Sequence, residues 1–359
     1  MTLRVHGAGC VLMKKHTFVP ILLISQVIFD ELKTRQKHNK SSAIWNTLVR
    51  IYLTNHHGGY KFICMTLFKR TLTALDLGAF DSVLMRTVAS LAKPLGIAHL
   101  YLLHVMPDFT QPAHLDVEFY KLFNPNYPVD EKVRDKVKLD AAEHFGNAPG
   151  FEINTEVVEG KPYEKLIHWT EVKLIDLLVV GHKKISQGSG ITAKRVARHT
   201  GTHVFYVPEE PAPSIRRLLV PLDFSDHGAK ALRTATRLAA SLEEAQVTAL
   251  HVVPQPAAVF YEPAWESGAF QHALTESAQK SYRKFIEDHG LEEEAIEVRF
   301  LDDDYNSISR HVHEFAQTDG SDMIVIGAKG HTALNSLLFG SVTESLLERC
   351  RDRLILVVR

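Results

Sequence analysis

From residue 70 onward, short apolar β-branched runs alternate with longer stretches of helical period. Asp322-Met323-Ile324-Val325-Ile326 is one such run, continuous rather than alternating, as expected for a parallel strand buried on both faces. Gly327-Ala328-Lys329-Gly330 follows it, and Glu344-Ser345-Leu346-Leu347-Glu348-Arg349 resumes a helical pattern. In the second half of the chain this reading predicts strands at 216–222, 245–253, 296–301, 322–326 and 354–358. Helices are predicted over 226–242, 271–289, 306–316 and 343–350, the first started by Ser225 and Asp226 as caps.

The first half carries the same order. Thr71-Leu72-Thr73-Ala74-Leu75-Asp76 matches Leu218-Leu219-Val220-Pro221-Leu222-Asp223, and Leu102-Leu103-His104-Val105 matches Ala249-Leu250-His251-Val252, each at an offset of 147 residues. Ile175-Asp176-Leu177-Leu178-Val179-Val180-Gly181 matches Ser321-Asp322-Met323-Ile324-Val325-Ile326-Gly327 at an offset of 146. The predicted architecture is therefore α/β: two tandem, doubly wound, five-stranded parallel-sheet domains over 65–208 and 215–359. Residues 209–214, within the proline-rich acidic stretch Glu209-Glu210-Pro211-Ala212-Pro213, form the linker. With right-handed crossovers, the ligand crevice lies off the carboxyl ends of the strands at the topological switch point.

Residues 1–64 read differently. Lys14-Lys15-His16 precedes an apolar run from Phe18 to Phe29, shorter than the roughly 20 residues of a membrane span. No small-residue cleavage site follows it, and Lys37 to Tyr60 holds no sustained period. The expectation is a leader that is disordered or absent from the native protein, with Met65 as the natural start.

The formal net charge of -1 hides an asymmetry: residues 1–64 carry nine Lys/Arg against Asp30 and Glu31, whereas the remainder has a net charge of -8. A nucleic-acid partner or an anionic membrane is not expected of such a body. Cys10, Cys64 and Cys350 form no disulfide framework, which points to a reducing cytoplasmic compartment, and Cys350 reads as a buried, inert thiol.

The ends of strands one, two and four of the second repeat gather Asp223, His251-Val252 and the glycine loop. A strand, a glycine-bearing loop and a helix N-terminus make an anion cradle from backbone N–H groups and the helix dipole. Gly327 and Gly330 are expected to turn with positive φ. Gly340-Ser341-Val342-Thr343 opens the next helix with two hydroxyls. A carboxylate beside such a cradle suits ribose hydroxyls, and the apolar Val252 suits an adenine ring. Each element also has a plainer reading: Asp223 as a helix cap, His251 as a structural histidine, Lys329 as a solvated loop lysine. Asp302-Asp303-Asp304 reads as a helix-capping run rather than a metal site.

Val220-Pro221-Leu222-Asp223-Phe224-Ser225, Leu250-His251-Val252 and Gly327-Ala328-Lys329-Gly330 with Gly340-Ser341-Val342-Thr343-Glu344 resemble the universal stress protein family, whose ATP-binding branch carries Gly-x2-Gly-x9-Gly-Ser/Thr. The resemblance covers both repeats and excludes the leader. It implies a Rossmann-like, adenine nucleotide alpha hydrolase-like fold, a cytoplasmic stress-response role and dimer formation through the fifth strand. The implied ligand is ATP, AMP or ADP, with any Mg or Mn carried on the phosphates. By motif, Pro221, Asp223 and Val252 would surround the nucleoside. Gly327, Lys329, Gly330, Gly340, Ser341, Val342 and Thr343 would serve ribose and phosphates. No defined catalytic activity is a hallmark of the family.

The first repeat departs from this pattern. Ala74 replaces the proline, Lys184 replaces the second glycine, and Gly181 to Gly190 spans 9 positions against 13 from Gly327 to Gly340. One nucleotide per chain, held by the second repeat, is the expectation. The apolar fifth strands, His203–Val207 and Leu354–Val358, are expected to pair as an intramolecular pseudo-dimer, with a homodimer as a further assembly. Two other readings stand beside this one: a ligand-free interaction module, and a slow ATPase or nucleotidyl-transferring enzyme. The chain lacks both Gly-x4-Gly-Lys-Ser/Thr and His-x-Gly-His.

Overall fold

The computed structural model describes residues 10–13, 61–64, 67–106, 129–146, 150–183, 195–196, 198–242, 244–255, 268–293, 296–303, 307–330 and 339–359. The chain divides into two units, 1–66 and 67–359. In the first, β1 (Cys10–Met13) and β2 (Lys61–Cys64) pair antiparallel with Cys10 opposite Cys64, a hairpin-like pairing that no period in the sequence announced. The apolar run 18–29 lies outside the described residues.

In the second unit the first repeat supplies β3 (Arg70–Leu75), α1 (Asp81–Leu95), β4 (His99–Met106), α2 (Val129–Phe145), β5 (Glu152–Glu159), α3 (Pro162–Val172), β6 (Leu177–His182) and β7 (His203–Pro208). The second supplies β8 (Arg217–Pro221), α4 (Asp226–Ala239), β9 (Gln246–Val253), α5 (Gly268–Asp288), β10 (Ile296–Asp302) and α6 (Ile308–Asp319). It ends with β11 (Met323–Gly327), α7 (Ser341–Arg349) and β12 (Leu354–Val358).

Each repeat lays its strands side by side in the order third, second, first, fourth, fifth, all parallel. The fifth strands then meet: β12 runs antiparallel to β7, with Ile355 opposite Tyr206, Leu356 opposite Phe205 and Val357 opposite Val204. The two expected five-stranded sheets are thus one ten-stranded sheet. The reason is physical: an apolar strand at a sheet edge presents unpaired N–H and C=O groups, and here the repeats satisfy each other's edges.

Alternation along the strands feeds two cores, one on each face. Leu218, Val220, Met323 and Val325 point with Leu84, Leu232 and Phe285 into one; Leu219, Ile324 and Ile326 point with Leu166, Val312 and Leu346 into the other. Leu219 and Ile324 are fully excluded from solvent, and each such burial contributes about 2 kcal/mol. Helix ends follow the sequence signals: Ser225 Oγ accepts from Gly228 N at 3.1 Å to cap α4, and Gly96 and Gly320 close α1 and α6 at φ of 74° and 69°.

The pairing of β8 with β11 stops at Leu219–Ile324, although both strands continue toward their carboxyl ends. β3 and β6 part in the same way after Thr73–Val179. One crevice opens at each switch point.

Candidate functional site

In the second repeat, Asp223 stands exposed just beyond β8. Its Oδ1 accepts from Ser225 N at 3.1 Å and from Ser225 Oγ at 2.6 Å. Ser225, not Asp223, is therefore the helix cap. Asp223 fixes the capping hydroxyl and turns Oδ2 toward the glycine loop, where a Cβ added to Gly330 would fall on it. Phe224 makes this geometry at a left-handed φ of 62°, and Leu77 holds the equivalent place in the first repeat at 60°. A bulky residue there is strained. Phe224 is held by stacking on His251, with centroids 4.2 Å apart, and by Phe285 at 5.6 Å.

His251 takes the structural part: its Nδ1–H donates to Leu222 O at 2.8 Å, and burial lowers its pKa below the ordinary value. Val252 is placed differently. Leu250 O accepts from Leu222 N at 2.8 Å, and Val253 O accepts from Asp303 N at 3.1 Å on the other side. The alternation of a strand thus turns the N–H and C=O of Val252 toward the β8 side, beyond the end of β8 and into the crevice.

The glycine loop does not use its glycines as expected. Neither Gly327 nor Gly330 has a positive φ. What each requires is the absence of a side chain: a Cβ on Gly327 would lie 2.8 Å from the His227 backbone, and one on Gly330 would displace the Asp223 carboxylate. Residues 331–338 lie outside the described set, but both ends of that segment are fastened. Gly340 N donates to Ala328 O at 2.8 Å, Ala328 N to Val358 O at 2.7 Å, and Thr343 Oγ1 to Gly327 O at 3.0 Å. The Thr343 hydroxyl is thereby turned inward and buried, so what this residue offers the crevice is its backbone N–H. Ser341 is exposed at the start of α7. Among the described residues no side chain caps this helix, and Glu344 N bonds back to Gly340 O at 3.0 Å. Nor does any acceptor among the described residues meet the N–H groups of Ser341, Val342 and Thr343, the first turn of the helix.

Positive charge converges here. Burial and Arg359 together lower the pKa of Lys329; burial, then Lys230, Lys329 and Arg359, lower that of His227. Arg359, which follows β12, places its guanidinium 4.9 Å from the ring centroid of Phe339, the residue before Gly340. Neither Arg359 nor His227 was singled out by sequence; what brings them in is the pairing of β12 beside β11 and the packing of α4 against Gly327. Asp303 accepts from Ser307 N at 3.0 Å and from His311 Nε2 at 3.0 Å, a buried capping arrangement. Among the described residues no group of His, Cys, Asp or Glu is arranged to hold a metal ion.

The first repeat has filled its cradle. Lys183, the counterpart of Lys329, places Nζ 2.5 Å from Oδ2 of Asp76, the counterpart of Asp223. Burial pushes the Asp76 carboxyl up, but Lys183 and the Gly78 N–H outweigh it, and its pKa falls below the ordinary value. Phe80 packs its ring over Gly181, on the place where a Cβ would stand. Lys184 and Gly188-Ser189-Gly190 lie outside the described residues. The repeats touch beyond the shared ladder: His182 Nε2–H donates to Leu347 O of α7 at 2.8 Å, and Arg198 pairs with Glu344 at 3.0 Å.

Fold and site together define a tandem, doubly wound α/β protein with a glycine-loop crevice in its second half. The profile of the Universal stress protein family matches residues 67–208 and again 214–357, so this chain belongs to that family, in its tandem form. The chain is 28% identical over 147 residues to universal stress protein MJ0531 of Methanocaldococcus jannaschii, covering 40% of this chain and 81% of that one. Among solved structures, a universal stress protein of Archaeoglobus fulgidus superposes at a TM-score of 0.56 with 15% identity, over 80% of this chain and 98% of that one. A functionally unknown protein, PA1789 of Pseudomonas aeruginosa, superposes at 0.51 with 14% identity, over 81% and 92%. These likenesses establish the fold. Among the described residues no helix is long and apolar enough to cross a membrane.

Proposed function

We propose that this universal stress protein binds one adenine nucleotide per chain, ATP in the first instance, in the crevice of its second repeat, and acts in the cytoplasm as a regulatory rather than a catalytic component. The observation that carries the reading is the meeting of Asp223 with Gly330 beside the uncapped N-terminus of α7. The residues fit such a ligand: an exposed carboxylate accepts ribose hydroxyls, and the outward N–H and C=O of Val252 match the donor and acceptor edge of adenine. Pro221 ends β8 and delivers Asp223. The backbone from Gly340 to Thr343, with Ser341 Oγ, would hold phosphates, and Lys329 and Arg359 would neutralise them. A divalent ion, Mg or Mn, would come with the phosphates, whose charge it reduces.

In the first repeat the Lys183–Asp76 pair and the Phe80 ring occupy the same elements, which supports a stoichiometry of one. The pairing of β7 with β12 supports self-sufficiency of the single chain as a pseudo-dimer. The test is calorimetry with Mg-ATP on the full chain, preceded by acid extraction to detect co-purified nucleotide. One equivalent bound, lost in Asp223→Ala and retained in Asp76→Ala, is the expected result. Two equivalents, or the opposite dependence on the two variants, would overturn it. Absence of both bound nucleotide and a thermal shift would favour a ligand-free interaction module.

A further inference from the structure

The crevice of the first repeat is not closed. A cavity of about 400 Å³ remains there, lined by Asp76, Asp81, His104 and Lys183 among apolar side chains that include Phe80 and Leu166. That volume lies in the range of small-molecule sites. Its electrostatics are the reverse of those in the second repeat. The Asp76 carboxylate faces one ammonium, Asp81 lies behind it, and the ring of Phe80 lies over Gly181.

The chain itself supplies a stand-in for the missing ligand. The Lys183 ammonium sits 2.5 Å from Asp76 Oδ2 and 5.8 Å from the centroid of the Phe80 ring. A carboxylate on one side and an aromatic face on the other make a cation subsite. Lys183 reaches it on a flexible stem and retains 22% of its side-chain exposure, so it can leave. Asp76 stays in position without Lys183, because its Oδ1 accepts from Gly78 N at 2.9 Å. Asp81 is 5% exposed and is fixed by Asp76 N at 3.2 Å and Leu77 N at 2.8 Å. Beyond the subsite the wall is apolar, with room for a hydrocarbon body.

We propose that this cavity is a second ligand site, for a small organic cation: an ammonium group that replaces Lys183 between Asp76 and Phe80, carried on an apolar body that fills the remaining volume. An anion finds no such place, since its charge would meet the Asp76 carboxylate. The inference does not depend on the second repeat holding a nucleotide.

The test is titration calorimetry of the full chain with phenethylammonium, and with uncharged phenethyl alcohol and anionic hydrocinnamate as isosteric probes. The ammonium is expected to bind best. Lys183→Met removes the internal competitor and is expected to tighten it about tenfold, whereas Asp76→Asn is expected to weaken it by about tenfold or more. Lys183→Met weakening the ammonium, hydrocinnamate binding best, or no heat from phenethylammonium at millimolar concentration would each overturn the proposal. Mg-ATP titrated into the same samples reports separately on the second repeat. If Asp76→Asn does not fold, Lys183→Met decides alone, because a purely structural lysine would not tighten a ligand on removal.

Discussion

Asp223 Oδ2 occupies the space in which a side chain on Gly330 would begin. Two segments more than a hundred residues apart are therefore fitted to one another at the level of single atoms, and the glycine is required by its neighbour rather than by its own backbone. Gly330→Ala is expected to push the carboxylate out of line and weaken Mg-ATP by about tenfold or more, about 1.4 kcal/mol. Because the glycine acts through the aspartate, the double variant Gly330→Ala/Asp223→Ala should bind no worse than Asp223→Ala alone. Additive losses in calorimetry would show that Gly330 contributes independently.

Asp81 is a buried carboxyl in the first repeat, and burial, with Asp76 beside it, raises its pKa from 3.8 to about 7. The groups facing it are Asp76 and, through Asp76, Lys183. A folded pKa above the unfolded one means tighter proton binding in the folded state. Its contribution to stability is thus complete below about pH 4 and is lost as pH rises through about 7. Asp81→Asn removes this dependence. Between about pH 5 and pH 8 the melting temperature of the natural chain should fall relative to that of the variant; parallel curves would refute the assignment.

The β7–β12 ladder joins the repeats into one sheet. Val357 lies in it opposite Val204 and is fully buried. Val358 O accepts from Ala328 N on the β11 side, so alternation turns the Val357 N–H to β7. Val357→Pro removes that donor and leaves its partner carbonyl in β7 unpaired, at a cost of about 1–3 kcal/mol. Calorimetry should then resolve two transitions, one for each repeat. A single transition at the original temperature would mean that the repeats cohere by their helices instead.

Cys350 is fully buried, and burial lifts its thiol to about 12; His313 Nδ1 lies 3.0 Å from Sγ. In a chain carrying Cys10→Ser and Cys64→Ser, a thiolate-selective reagent at neutral pH should label the folded protein at least a hundredfold more slowly than the chain in denaturant, on the order of what a thiol so shifted implies. Rapid labelling of the folded chain would show that the helix end carrying it opens.

Much of this protein is legible in one dimension. The apolar runs of four to six residues, their spacing and their recurrence at a fixed offset determined the strands, the order of elements and the doubling of the domain, because burial on both faces of a parallel strand dictates composition locally. The first repeat serves as an internal comparison, and it singles out the glycine loop as the place where the two copies differ in length and in glycine content. Tertiary structure alone decided the rest. That Gly327 and Gly330 make room for other segments, that Thr343 turns inward, and that Lys183 pairs with Asp76 all depend on contacts between residues far apart in the chain, which carry no period. The joining of the sheet at β7 and β12 was expected from two unsatisfied edges. The reach of Arg359 toward Phe339 and Lys329 was not, because the position of a single side chain at a strand end follows from which strand lies next to it in space.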